Sequence, residues 1–158
     1  LDDLEGIWPV THLDHTLLAG NDVDKTAKFL REALDFNLTE TIHGPDGQPF
    51  AFFMTVSNTI PNVAFAPGPP NSLHHIAFYV SDRADVIRRV DMLKHRKVAT
   101  FDYGISRHGV AGVTTVYFHD PSGNRNEFQC GVYEASNVRD KIPPIVWAGE
   151  NIPRGVFY

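Results

Sequence analysis

The sequence predicts an α+β fold: two repeated βαβββ modules joined into one cupped, barrel-like mixed sheet with the helices outside. Three observations predict it. Leu13-Asp14-His15 and Leu73-His74-His75 head two strand-like runs, with His15 and His75 offset by 75 − 15 = 60 residues. Each run is followed by a capped, amphipathic helical stretch and then by three more strand-like runs. Thr114–Glu127 reads as strand, tight turn, strand, because Val116-Tyr117-Phe118 favours extended backbone and Asp120-Pro121-Ser122-Gly123-Asn124 is dense turn chemistry.

The elements follow in order. Residues 1–10 form a lead-in with Trp8-Pro9 as an anchor. Residues 11–18 form a strand whose alternation puts Leu13, His15 and Leu17 on one face and His12, Asp14 and Thr16 on the other. Asn21-Asp22 can cap a helix over 23–36, with Val23, Ala27, Phe29, Leu30, Ala33 and Leu34 at helical spacing. Polar strand-like sequence runs on to His43, Gly44-Pro45-Asp46-Gly47 turns, and strands are expected over 50–56 and 62–65. Ala66 to Asn71 is a stiff break with no element of its own. The second copy has a strand over 73–80, a cap at Ser81 or Asp82, and a helix over 83–95 with Val86, Ile87, Val90 and Leu93. Strands follow near 99–103, 114–118 and 126–131. Module one is therefore about 11–66 and module two about 72–132 of one domain spanning 1–158. The tail, 133–158, is apolar in patches and is expected to pack across the cup or against another chain.

Bulk properties narrow the function classes. The 158 residues allow one domain with a real core. A net charge of -5 gives no footprint for nucleic acid. The basic run Lys94-His95-Arg96-Lys97 suits a helix C-terminus. No apolar run approaches a membrane span. The single cysteine, Cys130, excludes an internal disulfide framework and fits a reducing, cytoplasmic location, and it reads as a small buried residue.

Two histidines from equivalent strands and a glutamate from a late strand are the parts of a two-histidine, one-carboxylate site for a divalent metal. His15, His75 and Glu127 fill those roles, and the turn at 120–124 folds Glu127 back beside Tyr117. His12 and His74 alternate away from them. His43 reads as a loop residue, His95 as surface or helix end, and His119 as an exposed turn residue. His108 lies on a loop leading to the strand of Tyr117, where a histidine at a pocket rim can act as acid or base.

The run from His108 through Val116-Tyr117 to Asp120-Pro121-Ser122-Gly123-Asn124-Arg125-Asn126-Glu127 closely resembles the signature of the extradiol ring-cleaving dioxygenases of the vicinal oxygen chelate superfamily. Leu13-Asp14-His15 and Leu73-His74-His75 match that family's metal-binding strands, and the tail is similar to that of the catechol 2,3-dioxygenases. The resemblance implies the glyoxalase/bleomycin resistance/dihydroxybiphenyl dioxygenase fold. It implies His15, His75 and Glu127 as ligands of Fe(II), with Mn(II) also accepted, His108 as acid/base residue and Tyr117 as partner of a substrate hydroxyl. It implies a small aromatic diol and O2 as substrates, a 2-hydroxymuconic semialdehyde type product, and a homo-oligomer.

Two departures stand out. Pro61 falls where the family carries a further pocket histidine. The catechol 2,3-dioxygenases also carry an additional domain of similar fold ahead of this one, so the chain is expected to be the catalytic C-terminal part of a longer enzyme or a one-domain relative. Ser106 is a smaller difference. A glyoxalase-like isomerase on the same fold would draw a carboxylate from Asn62-Val63-Ala64-Phe65, which has none. A metal-free module that sequesters an aromatic compound would have no need of His15, His75 and Glu127 together.

Overall fold

The computed structural model describes residues 9–98, 101–107, 109–131 and 143–148. Two aspartates start its helices: Asp22 accepts the Lys25 N–H to open α1 (Val23–Leu34), and Asp82 accepts the Asp85 N–H to open α2 (Arg83–His95). The first copy runs β1 (His12–Gly20), α1, β2 (Asn37–His43), β3 (Pro49–Thr55) and β4 (Val63–Pro67). The second runs β5 (Ser72–Tyr79), α2, β6 (Phe101–Arg107), β7 (Thr114–His119) and β8 (Arg125–Cys130). A short β9 (Ile145–Trp147) comes from the tail.

The nine strands among the described residues join one sheet in the order β6-β7-β8-β5-β1-β4-β3-β2-β9. Each copy thus places its first strand beside its last, in parallel, and its middle strands outward by antiparallel steps. The copies meet where β1 runs antiparallel to β5. The strands that carry the candidate site, β8, β5 and β1, are consecutive neighbours around that seam.

Period-two alternation divides the later strands cleanly. Val116, Phe118, Phe128 and Cys130 face α2 and pack with Val86, Val90 and Leu93. Thr115, Tyr117, Glu127 and Gln129 take the opposite face and are all buried. Burying each large apolar side chain under α2 is worth about 1.5–3 kcal/mol. Phe52, Met54 and Phe65 pack with Ala27 of α1 in the same way. A third cluster joins Ile42 and Ala51 of the first copy to Val110, Ala111 and Val113 of the second.

Several expectations change in detail. Ala66 and Pro67, the start of the expected break, belong to β4, which continues its parallel pairing with β1 as far as Gly20↔Pro67. His43 ends β2 instead of lying in a loop. The sixth strand runs on past 103, because pairing with β7 carries it through Ser106 and Arg107; residues 99 and 100 lie outside the described residues. Phe29 and Ile87, counted with the helical apolar positions, are 60% and 52% exposed. Ile87 sits one residue, about 100°, past buried Val86, and Phe29 two residues, about 200°, past buried Ala27. Leu34, at the last turn of α1, is also exposed. Of the tail, β9 extends the sheet along β2, and Trp147 donates its indole N–H to the buried Glu40 at 2.6 Å; the remainder lies outside the described residues.

The largest correction is in β1. Its pairing with β5 slips between Leu13 and His15, leaving Asp14 as an extra residue. Strict alternation therefore fails there. Asp14 and His15 are both buried, at 6% and 8% exposure, while Leu13 is 59% exposed.

Candidate metal centre

His15 comes from β1, His75 from β5 and Glu127 from β8, and the pairing of Ala77 with both His15 and Glu127 brings the three strands into register. Their donor atoms converge. His15 Nε2 lies 3.1 Å from His75 Nε2, His75 Nε2 lies 3.1 Å from Glu127 Oε2, and His15 Nε2 lies 3.6 Å from the same oxygen. All three residues are buried.

This triangle can be tested against a metal. Ligands held about 2.1 Å from an ion and at right angles to one another stand about 3.0 Å apart. The three edges are close to that spacing. Two imidazole nitrogens and one carboxylate oxygen also suit a first-row divalent ion better than calcium or magnesium, which favour oxygen throughout. The residues fit the group.

The outer atom of each donor residue is held as well. His15 Nδ1 lies 2.7 Å from Asp14 Oδ2. A carboxylate oxygen only accepts, so Nδ1 donates, and Nε2 of the neutral ring keeps its lone pair for the centre of the triangle. Asp14 Oδ2 also accepts from Gln129 Nε2. His75 Nδ1 lies 2.7 Å from Nδ1 of His74, which in turn lies 3.1 Å from the Arg125 guanidinium. Burial lowers the His75 pKa, opposed by the hydrogen bond and charge of Glu127, so the neutral, electron-donating ring is favoured. Burial also lowers that of His74, to about 4, helped by His75 and Arg125. Glu127 Oε1 accepts from the Thr115 hydroxyl.

Tyr117 packs edge-on against His75, with ring centroids 5.2 Å apart, and the Arg125 guanidinium lies over its ring, 4.0 Å from the centre. Burial first, then the charge of Glu127 and a hydrogen bond to it, raise the phenol well above its usual pKa. Tyr117 is therefore a neutral donor at physiological pH. His108 lies outside the described residues. Pro61 is among the most deeply buried residues and offers neither donor nor base at the position where a histidine was expected.

Asp14, Thr115, Gln129 and His74 were not read as site residues from the sequence. Alternation could have found two of them. Thr115 shares the parity of Tyr117, and Gln129 that of Glu127, and the pairs Thr115↔Gln129 and Tyr117↔Glu127 lie side by side on the β7–β8 ladder. Asp14 was placed on the wrong face because alternation cannot register a bulge.

Comparisons with known proteins place the chain among relatives of the same fold. A family model described as the Glyoxalase/Bleomycin resistance protein/Dioxygenase superfamily matches residues 12–128. The chain is 34% identical to a metapyrocatechase of Pseudomonas sp. (strain CF600) over 99% of its own length and 50% of that protein's. It is 26% identical to a manganese-dependent 2,3-dihydroxybiphenyl 1,2-dioxygenase of Geobacillus genomosp. 3, over 97% of its own length and 49% of that protein's. Homoprotocatechuate 2,3-dioxygenase from Brevibacterium fuscum, solved in an anaerobic complex with 3,4-dihydroxyphenylacetate, superposes with a TM-score of 0.86 at 28% identity, covering 98% of this chain and 48% of that one. The chain thus spans about half the length of the relatives it matches.

Proposed function

The chain belongs to the glyoxalase/bleomycin resistance protein/dioxygenase superfamily, and from that premise we propose that it is the metal-binding part of an extradiol dioxygenase, cleaving a catechol-type diol with O2. The observation that carries this reading is the triangle of His15 Nε2, His75 Nε2 and Glu127 Oε2, with edges of 3.1, 3.1 and 3.6 Å. Three ligands on one side of an ion leave the other side for a diol and oxygen. The names of these relatives, all dioxygenases or a metapyrocatechase, support the same reaction class.

His15, His75 and Glu127 would hold the ion. When bound there, Fe(II) supplies the redox coupling between diol and O2, and the same ligands accept Mn(II), the metal in the name of the Geobacillus relative. The other tasks fall to the chain. Tyr117, kept protonated by burial beside Glu127, offers its hydroxyl to a substrate oxygen. His108 is proposed as acid and base on the strength of its spacing from Tyr117 in the signature run. With Pro61 in place of a further histidine, acid–base work rests on these two. Both atoms of O2 end in the product, and the carbon–carbon bond beside the diol is cut, so no external reductant is consumed.

The test is oxygen uptake by the full chain, loaded anaerobically with Fe(II), against a panel of substituted catechols, with the yellow ring-cleavage product followed in parallel. Uptake matched by product supports the activity. Tight Fe(II) or Mn(II) binding without uptake on any catechol overturns the activity but keeps the site; binding of neither ion overturns both.

A further inference from the structure

We propose that Asp14, steadied by Gln129, is a positioning residue that fixes His15 and makes it the stronger of the two imidazole donors. The proposal rests on the metal-site reading above and concerns what tunes that site.

Asp14 is a buried carboxylate whose ion-pair partners among the described residues are imidazoles, not lysine or arginine. A buried carboxylate is costly unless its oxygens are matched by donors. Oδ2 takes two, the His15 Nδ1–H at 2.7 Å and the Gln129 amide, and Oδ1 lies 3.7 Å from His12 Nε2. The bulge in β1 is what allows this, because it turns neighbouring residues to the same side. Gln129, fully buried on β8, reaches across two strand spacings and stops the carboxylate from turning away from its ring.

The two histidines are consequently unequal. Behind His15 stands a carboxylate, which draws on the Nδ1 proton and leaves Nε2 richer in electrons. Behind His75 stands a second imidazole, itself 3.1 Å from a guanidinium nitrogen. An imidazole under a cation is a weaker acceptor than a carboxylate, so Nε2 of His75 gains less.

The experiment uses the full chain, with Mn(II) as the probe and free Mn(II) counted by electron paramagnetic resonance. Asp14→Asn should weaken Mn(II) binding by about 10- to 100-fold, and His74→Gln by less. In the metal-free protein, nitrogen-15 resonances of His15 should report an Nδ1–H ring in the parent and a shift toward Nε2–H in Asp14→Asn, a change that general loosening of the fold does not produce. Gln129→Met, of similar volume, should move both readouts in the same direction and serves if Asp14→Asn does not fold. Unchanged affinity with an unchanged tautomer overturns the proposal, as does a larger loss from His74→Gln. His15→Ala is the control that separates the two readings. If it binds Mn(II) like the parent, the site itself has failed; if it loses Mn(II) while Asp14→Asn and Gln129→Met keep it, this proposal alone has failed.

Discussion

Tyr117 stands directly across the β7–β8 ladder from Glu127, and its hydroxyl is bonded to that carboxylate. The phenol is thereby tied to a proposed ligand before any substrate arrives. Tyr117→Phe should leave metal content unchanged and lower turnover by about 10- to 100-fold, the weight of one hydrogen bond to a charged group. Metal analysis alongside oxygen uptake checks this; metal lost in step with turnover would make Tyr117 a support for Glu127 and nothing more.

Thr115 donates to Oε1 of Glu127. Thr115→Val keeps the shape and removes one donor from a buried carboxylate. The metal-free protein should lose about 1–3 kcal/mol of stability. Urea denaturation measures it, and a change below about 0.5 kcal/mol would place the effect within ordinary surface substitutions.

Gly104 packs β6 against β7 with φ at +108°, and a Cβ there would lie 2.9 Å from the Thr115 carbonyl oxygen and 3.1 Å from Val116 Cα. Both are backbone atoms and cannot swing aside. Gly104→Ala should cost about 1–3 kcal/mol from the backbone conformation alone. A melting temperature equal to the parent's would refute it.

Arg89 and Asp85 form a buried pair one turn apart on α2, with the guanidinium 5.2 Å from the Phe128 ring centre. Arg89→Met removes the nearer cation from the buried Asp85 carboxylate, leaving Arg88 at 3.8 Å, and should cost up to about 3–5 kcal/mol. Adding Asp85→Leu should recover much of that loss, short of the bond Asp85 accepts from the Ser81 N–H. Denaturation of both variants decides, and equal losses would show that the charge balance is irrelevant.

Cys130 is 2% exposed, and burial raises its thiol pKa from 9.0. A higher value means less thiolate at any given pH, so disulfide reagents should label it at pH 8 far more slowly in the native chain than in urea. The same shift makes the thiol's contribution to stability present below pH 9 and lost as pH climbs through the folded value. Labelling at equal rates in both states would contradict the burial.

Much of the site could be read in the sequence because its three donors lie on ordinary strand positions at a repeat offset. His15 and His75 head equivalent strands, and the turn at 120–124 returns Glu127 beside Tyr117 as its residues predict. The helices were legible through Asp22 and Asp82 and their spacing. What escaped was of two kinds. Strand ends at Pro67 and Arg107 are set by pairing with distant strands, which local composition does not carry. The partners of the donors, Asp14 above all, depend on an irregularity with no residue signature, since neither glycine nor proline marks it.

The unpaired position in β1 also limits what can be exchanged between the two halves of the molecule. Leu13-Asp14-His15 and Leu73-His74-His75 look interchangeable on paper, and in each the ladder skips the middle residue, yet that residue is an acid in the first triplet and an imidazole in the second. Grafting the second into the place of the first would set an imidazole against the Gln129 amide where an acid now sits. Likeness by descent and equivalence of parts have come apart at a single residue.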